Sequence, residues 1–79
     1  MRVNIIIKVQ KGKTTITNYS TTIELDKDST YLDLKNKTKS IINLGLEIDS
    51  EEIYKGSKKV LDTDIVTDKK QLLYNLLVK

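Results

Sequence analysis

Ser29 to Gly45, STYLDLKNKTKSIINLG, is the stretch whose reading decides the fold. Tyr31, Leu34, Thr38, Ile41 and Ile42 recur at helical spacing and fall on one stripe at ~100° per residue. Leu32 lies off that stripe and Leu44 at its edge. Thr30 followed by Asp33 is a capping-box pattern, in which the hydroxyl accepts from the backbone three residues on and the carboxylate reaches back. Asp28 adds negative charge near the positive end of the helix dipole, and Gly45 is placed to close the helix in the left-handed conformation. One amphipathic helix is therefore expected mid-chain.

The flanks read as strands. Val3, Ile5, Ile7 and Val9 alternate with mostly polar residues, Ile6 being the exception, and Lys11-Gly12-Lys13 is a turn signal. Thr14 to Asp26 is rich in Thr and Ile; Thr21, Ile23 and Leu25 share a face, Tyr19 joins them if the strand is continuous, and Asn18 marks a bulge or turn. Two adjacent strands joined by a short link make an antiparallel hairpin. After the helix, 46–50 reads as a connector, Glu51–Lys55 as a short strand with Ile53 buried, Gly56-Ser57 as a turn, and 58–61 as a short edge strand guarded by its lysines. Ile65 and Val66 anchor a loop, and 67–70 is a polar turn. Leu72, Tyr74, Leu76 and Val78 alternate in a last strand that carries Leu73 and Leu77 on its other face, the mark of a central strand. The expected fold class is α+β, a mixed four- to five-stranded sheet in β-β-α-β-β order packed on one central helix, with the first and last strands paired at its middle.

Composition limits the chemistry. Seventy-nine residues make one domain, 1–79, of a size that buries only about 60–65% of its unfolded surface. Without Cys there is no disulfide or thiolate, and without His there is no imidazole base, so Ser-His-Asp and Cys-His arrangements are excluded. Net charge is +3, with the lysines dispersed among eleven acids, a balance that suits solubility more than phosphate binding. No apolar run approaches a membrane span, and Asn4 and Lys8 interrupt the N-terminal one, so a cytoplasmic or nuclear location is expected.

The order of these elements, with several residues in step, resembles the ubiquitin-like β-grasp family over nearly the whole chain. The residues that carry the resemblance are Gly12-Lys13-Thr14 at the first turn, Asp28-Ser29-Thr30 with Tyr31, Leu34 and Lys35 at the helix start, and Gly45 at its end. Ile53-Tyr54, Gly56, Lys58 and Val60, then Leu72-Leu73-Tyr74-Asn75-Leu76, continue it. The chain departs from the family in a longer Gly12–Thr30 segment, a shorter Asp62–Leu72 segment and an ending, Leu76-Leu77-Val78-Lys79, without diglycine. The resemblance implies a non-catalytic protein-interaction domain, a monomer in a ubiquitin-system or adaptor setting. The alternative it implies is a modifier or sulfur-carrier precursor whose glycine tail is missing from this chain. A β-grasp domain of the antibody-binding kind ranks lower, because the chain shows neither repeat nor export signal.

The resemblance places Tyr54, Gly56, Leu73 and Asn75 in the family's recognition patch and matches Lys58 to a lysine used for chain linkage. Alternation independently puts Tyr54, Leu73, Asn75 and Leu77 on the face away from the helix, with Ile6 beside them if the first and last strands pair. The expected partner-binding set is Ile6, Tyr54, Gly56, Lys58, Leu73, Asn75 and Leu77, rimmed by Lys8, Lys55 and Lys58. Scattered exposed apolar residues also occur without any partner, and Lys58, with Lys59 adjacent, is better read as an ordinary solvated turn lysine. Lys55, Lys58, Lys59, Lys69 and Lys70 lack the arginines and aromatic platform of a nucleic-acid site. Asp62-Thr63-Asp64 and Asp26-Lys27-Asp28 lack the further ligands of a calcium loop, and Glu51-Glu52 would point to opposite faces of a strand. No metal, cofactor, catalytic residue, nucleic acid or membrane is assigned, and the triplets Asn18-Tyr19-Ser20 and Asn36-Lys37-Thr38 are taken as incidental.

Overall fold

The structure, a computed structural model, describes residues 1–42, 45, 47–67 and 71–79. Along the chain run β1 (Arg2–Lys11), β2 (Thr14–Glu24), α1 (Tyr31–Ile41), β3 (Ile48–Lys55), β4 (Lys58–Lys59) and β5 (Leu72–Val78). The strands form one mixed sheet in the order β2-β1-β5-β3-β4, and the α+β class expected from the sequence stands. β1 and β5 pair in parallel at the middle; every other pairing is antiparallel.

The core follows from alternation. Val3, Ile5, Ile7 and Val9 of β1 and Leu72, Tyr74, Leu76 and Val78 of β5 are buried, joined by Ile53 from β3, Ile23 from β2 and Leu34 and Tyr31 from the helix. In β5 the opposite face, Leu73, Asn75 and Leu77, is half-buried, as befits a strand with neighbours on both sides. Thr38 sits inside this core because its hydroxyl donates to the Leu34 carbonyl at 2.7 Å, so its own polar group is not left bare.

The helix start matches the sequence pattern. Asp33 N–H donates to Thr30 Oγ1 at 3.3 Å, and Thr30 N–H donates to Asp33 Oδ2 at 2.9 Å. The loop after β4 completes the end: Tyr31 N–H donates to the Asp64 carbonyl and Leu32 N–H to the Asp62 carbonyl, at 3.0 and 3.1 Å. With Leu34 N–H bonded to the Thr30 carbonyl, all of the first-turn donors are satisfied. Val66 is buried and donates to the Ser29 carbonyl, which pins this strap to the chain just ahead of the helix.

Several details depart from expectation. The helix stops at Ile41, which is 60% exposed, and Ile42 takes an extended conformation and packs at the core's margin, so the stripe loses its last full member. Gly45 is left-handed but lies three residues past the cap, so it does not close the helix. The connector itself is shorter, because β3 already begins at Ile48 and absorbs a bulge between Ile48 and Ser50. In β2 the strand is continuous and the irregularity falls at Ile16, where the register against β1 shifts between Val9 and Gln10, not at Asn18. The edge strand at 58–61 shrinks to Lys58–Lys59; Val60 tucks against the core, while Leu61 is exposed. The polar turn at 67–70 falls mostly outside the described residues.

Two substitutions separate the roles of cap and core. Thr30→Ala should lower unfolding free energy by about 1 kcal/mol, as losing an N-cap hydroxyl does. Leu34→Ala should cost about 2–5 kcal/mol, because it leaves a cavity between helix and sheet. Urea denaturation of the two variants checks the order; an unchanged stability in Thr30→Ala would mean that the loop strap alone holds the helix start.

Candidate functional site

The helix covers one face of the sheet. On the other, register sets which side chains stand together. Ile6 of β1 is opposite Leu73 of β5, Leu73 is opposite Tyr54 of β3, and Tyr54 is opposite Lys59 of β4. Ser20 of β2 lies beyond Ile6. At about 4.8 Å between strands, Ile6, Leu73 and Tyr54 make an apolar row roughly 10 Å long, each side chain half-buried by its neighbours.

A polar row lies next to it: Asn18, Lys8, Asn75 and Glu52. The Asn75 side-chain oxygen is buried and has no hydrogen-bond partner among the described residues. Beyond that row Leu77 stands between Gln10 and Ser50. Of the seven sequence-expected residues, Ile6, Tyr54, Leu73, Asn75 and Leu77 thus share this face, but Asn75 and its neighbours separate Leu77 from the other apolar residues.

Gly56 and Lys58 sit differently. Gly56 opens the two-residue turn between β3 and β4 with φ +65°, a left-handed conformation in which a side chain would be strained. Lys58 pairs with Lys55, one position along from the Tyr54–Lys59 pair, so alternation turns both away from Tyr54. The expected rim of Lys55 and Lys58 is therefore corrected: the lysine in the row is Lys59. Lys55 and Lys58 line an open cleft of about 890 Å³ beside the hairpin, with Tyr31, Val60, Leu61 and Ile65, and Lys59 also reaches its edge.

Lys59 does not act alone. Its Nζ is 3.2 Å from Glu52 Oε1, and the Tyr54 hydroxyl donates to Glu52 Oε2. The Tyr54 hydrogen bond, then the Lys59 contact, hold the Glu52 carboxyl below its ordinary range. The same bond to Glu52, with burial behind it, raises the Tyr54 phenol above its ordinary range. The tyrosine ring is thereby fixed over the row while its polar end is occupied. Glu52 was legible from alternation two residues before Tyr54; Lys59 required the hairpin register.

A second polar cluster lies at the helix side. Lys35 is buried, yet its Nζ reaches Asp62 Oδ1 at 2.6 Å and the Glu51 carbonyl at 3.0 Å. Lys39 Nζ meets Glu51 Oε1 at 3.1 Å. Glu51 and Glu52 do point to opposite faces, as strand geometry requires. Burial, followed by the charge of the nearby Glu51 carboxylate, pushes the Tyr74 phenol far above its ordinary range; its hydroxyl makes no well-formed hydrogen bond among the described residues. These groups tie α1 to β3 and to the loop strap. Asp64, the other acid of the strap, turns its carboxylate to the Leu61 N–H at 3.4 Å. Lys69 and Lys70, counted in the basic set at the sequence level, lie outside the described residues.

Compared with known proteins, the chain matches no family model, and no curated protein matches it.

The Tyr54–Glu52 bond has a titration signature. A carboxyl whose folded value is depressed contributes stability that is present above its unfolded value and lost as pH falls through the folded one. Tyr54→Phe removes the donor, so the Glu52 midpoint should move up toward the ordinary carboxylate range, read by carboxyl-carbon NMR titration. An unmoved midpoint would assign the depression to Lys59 instead.

Proposed function

We propose that this chain is a ubiquitin-like β-grasp domain that binds partner proteins through the sheet face opposite its helix and is not itself an enzyme. The observation that carries this reading is the cross-strand row Ile6–Leu73–Tyr54. It brings together residues from three strands, distant in sequence, into one apolar strip about as wide as a helix is thick. The strip has polar and charged neighbours on its flanks, Lys8, Glu52 and Lys59, which is the arrangement of an interface with an apolar centre and a polar rim. The sheet order with parallel central strands and one packed helix supports the family reading, as do the capping box and the turn at Gly56.

In this reading affinity comes from desolvating Tyr54, Leu73 and Ile6. Tyr54 is suited to the centre, because its ring is rigid and its hydroxyl already has a partner. Lys8 steers toward partners with acidic groups at the margin, while the charge of Lys59 is met by Glu52.

Titration of the labelled chain with helical ubiquitin-binding segments should perturb the amides of Ile6, Tyr54 and Leu73. Tyr54→Ala should weaken binding at least tenfold, about 1.4 kcal/mol, while the amide spectrum stays dispersed. Shifts confined to α1 or to the β3–β4 turn would overturn the assignment of the face.

A further inference from the structure

The sheet has two edges, and they are unlike. One is β4, two residues long and both of them lysine, the kind of edge that repels another strand. The other is β2, eleven residues long. From Thr14 to Ile23 it carries no charge and no proline, and it is rich in Thr and Ile, residues that favour strands. Its middle residue, Tyr19, lies on the helix side of the sheet and is 36% exposed.

The backbone of this edge can be read from its hydrogen bonds. Met1 and Leu25 exchange both bonds: Leu25 N–H donates to the Met1 carbonyl at 2.7 Å, and the Met1 amino group donates to the Leu25 carbonyl at 2.8 Å. In an antiparallel ladder such pairs recur at every second residue. The register is regular from Arg2↔Glu24 to Val9↔Thr17, so Ile23, Thr21, Tyr19 and Thr17 face β1 with their backbone groups. Asn18, Ser20, Thr22 and Glu24 therefore turn theirs outward. The helix confirms the direction at one end, where Lys37 Nζ donates to the Glu24 carbonyl. The bulge at Ile16 ends the regular ladder at the other. Between those two stops, Asn18, Ser20 and Thr22 present a straight run of outward N–H and carbonyl groups centred on Ser20.

We infer that this edge is a homodimer contact: two copies of the chain pair residues 18–22 antiparallel about a two-fold axis through Ser20, and the two sheets run on as one. A two-fold interface must be complementary to itself, and this one is. Ser20 meets Ser20 of the other copy, Asn18 meets Thr22, and Tyr19 lies beside Thr21 on the helix side. No like charges are opposed, which a sheet edge bearing lysines could not offer to its own copy. The Lys37 cap and the Ile16 bulge lie just outside the paired run and fix its length. The Ile6–Leu73–Tyr54 row is left open on both protomers. A dimer replaces the monomer expected from the sequence.

The test uses the intact 79-residue chain in sedimentation equilibrium over a concentration series. The mass should double from 9.0 kDa as concentration rises. Ser20 is exposed on the face away from the helix, so charge is tolerated there in the folded protomer. Ser20→Lys and Ser20→Glu should each stay at the monomer mass, and an equimolar mixture of the two should return to the doubled mass. Hydrogen exchange needs no variant: the amides of Asn18, Ser20 and Thr22 should gain protection with concentration. A wild-type chain that remains monomeric overturns the inference, even if its β2 edge accepts a strand from another protein. So do a dimer that survives both Ser20 variants, a mixture that fails to pair, and outward amides whose protection ignores concentration.

Discussion

The parallel pairing of β1 with β5 is the constraint on which the rest of the molecule depends. It joins the two ends of the described chain at the centre of the sheet and stacks Ile5 on Leu72, Ile7 on Tyr74 and Val9 on Leu76 beneath the helix. Its register is not set by apolar pattern alone. Leu72-Leu73 and Leu76-Leu77 offer leucine to either face, so a one-residue slip would still bury two leucines. Tyr74 and Asn75 break the tie. A slip would carry the Asn75 amide into the core, where nothing is arranged to satisfy it, and would expose the large buried ring of Tyr74. Tyr74 and Asn75 thus select the register that puts Leu73 between Ile6 and Tyr54.

The same asparagine leaves a mark on the open face. Its side-chain oxygen is buried without a partner among the described residues, in a polar row that divides Leu73 from Leu77. What serves the register narrows the apolar strip, and the proposed recognition surface is correspondingly a single row across the strands. The Tyr54–Glu52–Lys59 chain holds one end of that row in place.

On the helix side, polar groups do a different task. Lys35 lies on the buried stripe between Leu34 and Thr38, a position where an ammonium group needs partners. It finds them in Asp62 and the Glu51 carbonyl, and in doing so links helix, β3 and strap. The strap also covers the first helical N–H groups, so a loop with little regular structure closes the top of the core. At the opposite rim the sheet shows how differently its two edges are treated, with lysines guarding β4 and an uncharged, regular run left open on β2.

Sequence by itself determined the features that rest on near neighbours. The alternation of β1 and β5, the capping box at Thr30 and Asp33, and the opposite facing of Glu51 and Glu52 depend only on strand and helix periods, which are local. The helix end was not legible, because Ile41 and Ile42 both continue the stripe and only packing shows that the chain leaves the helix there. Tertiary structure alone decided the side of Lys58, the partner of Lys35, the place of the β2 bulge and the row Ile6–Leu73–Tyr54. Each of these is a pairing between residues far apart in the chain. A period of two or 3.6 states which face a residue takes; it carries no information on which residue of another strand will stand opposite.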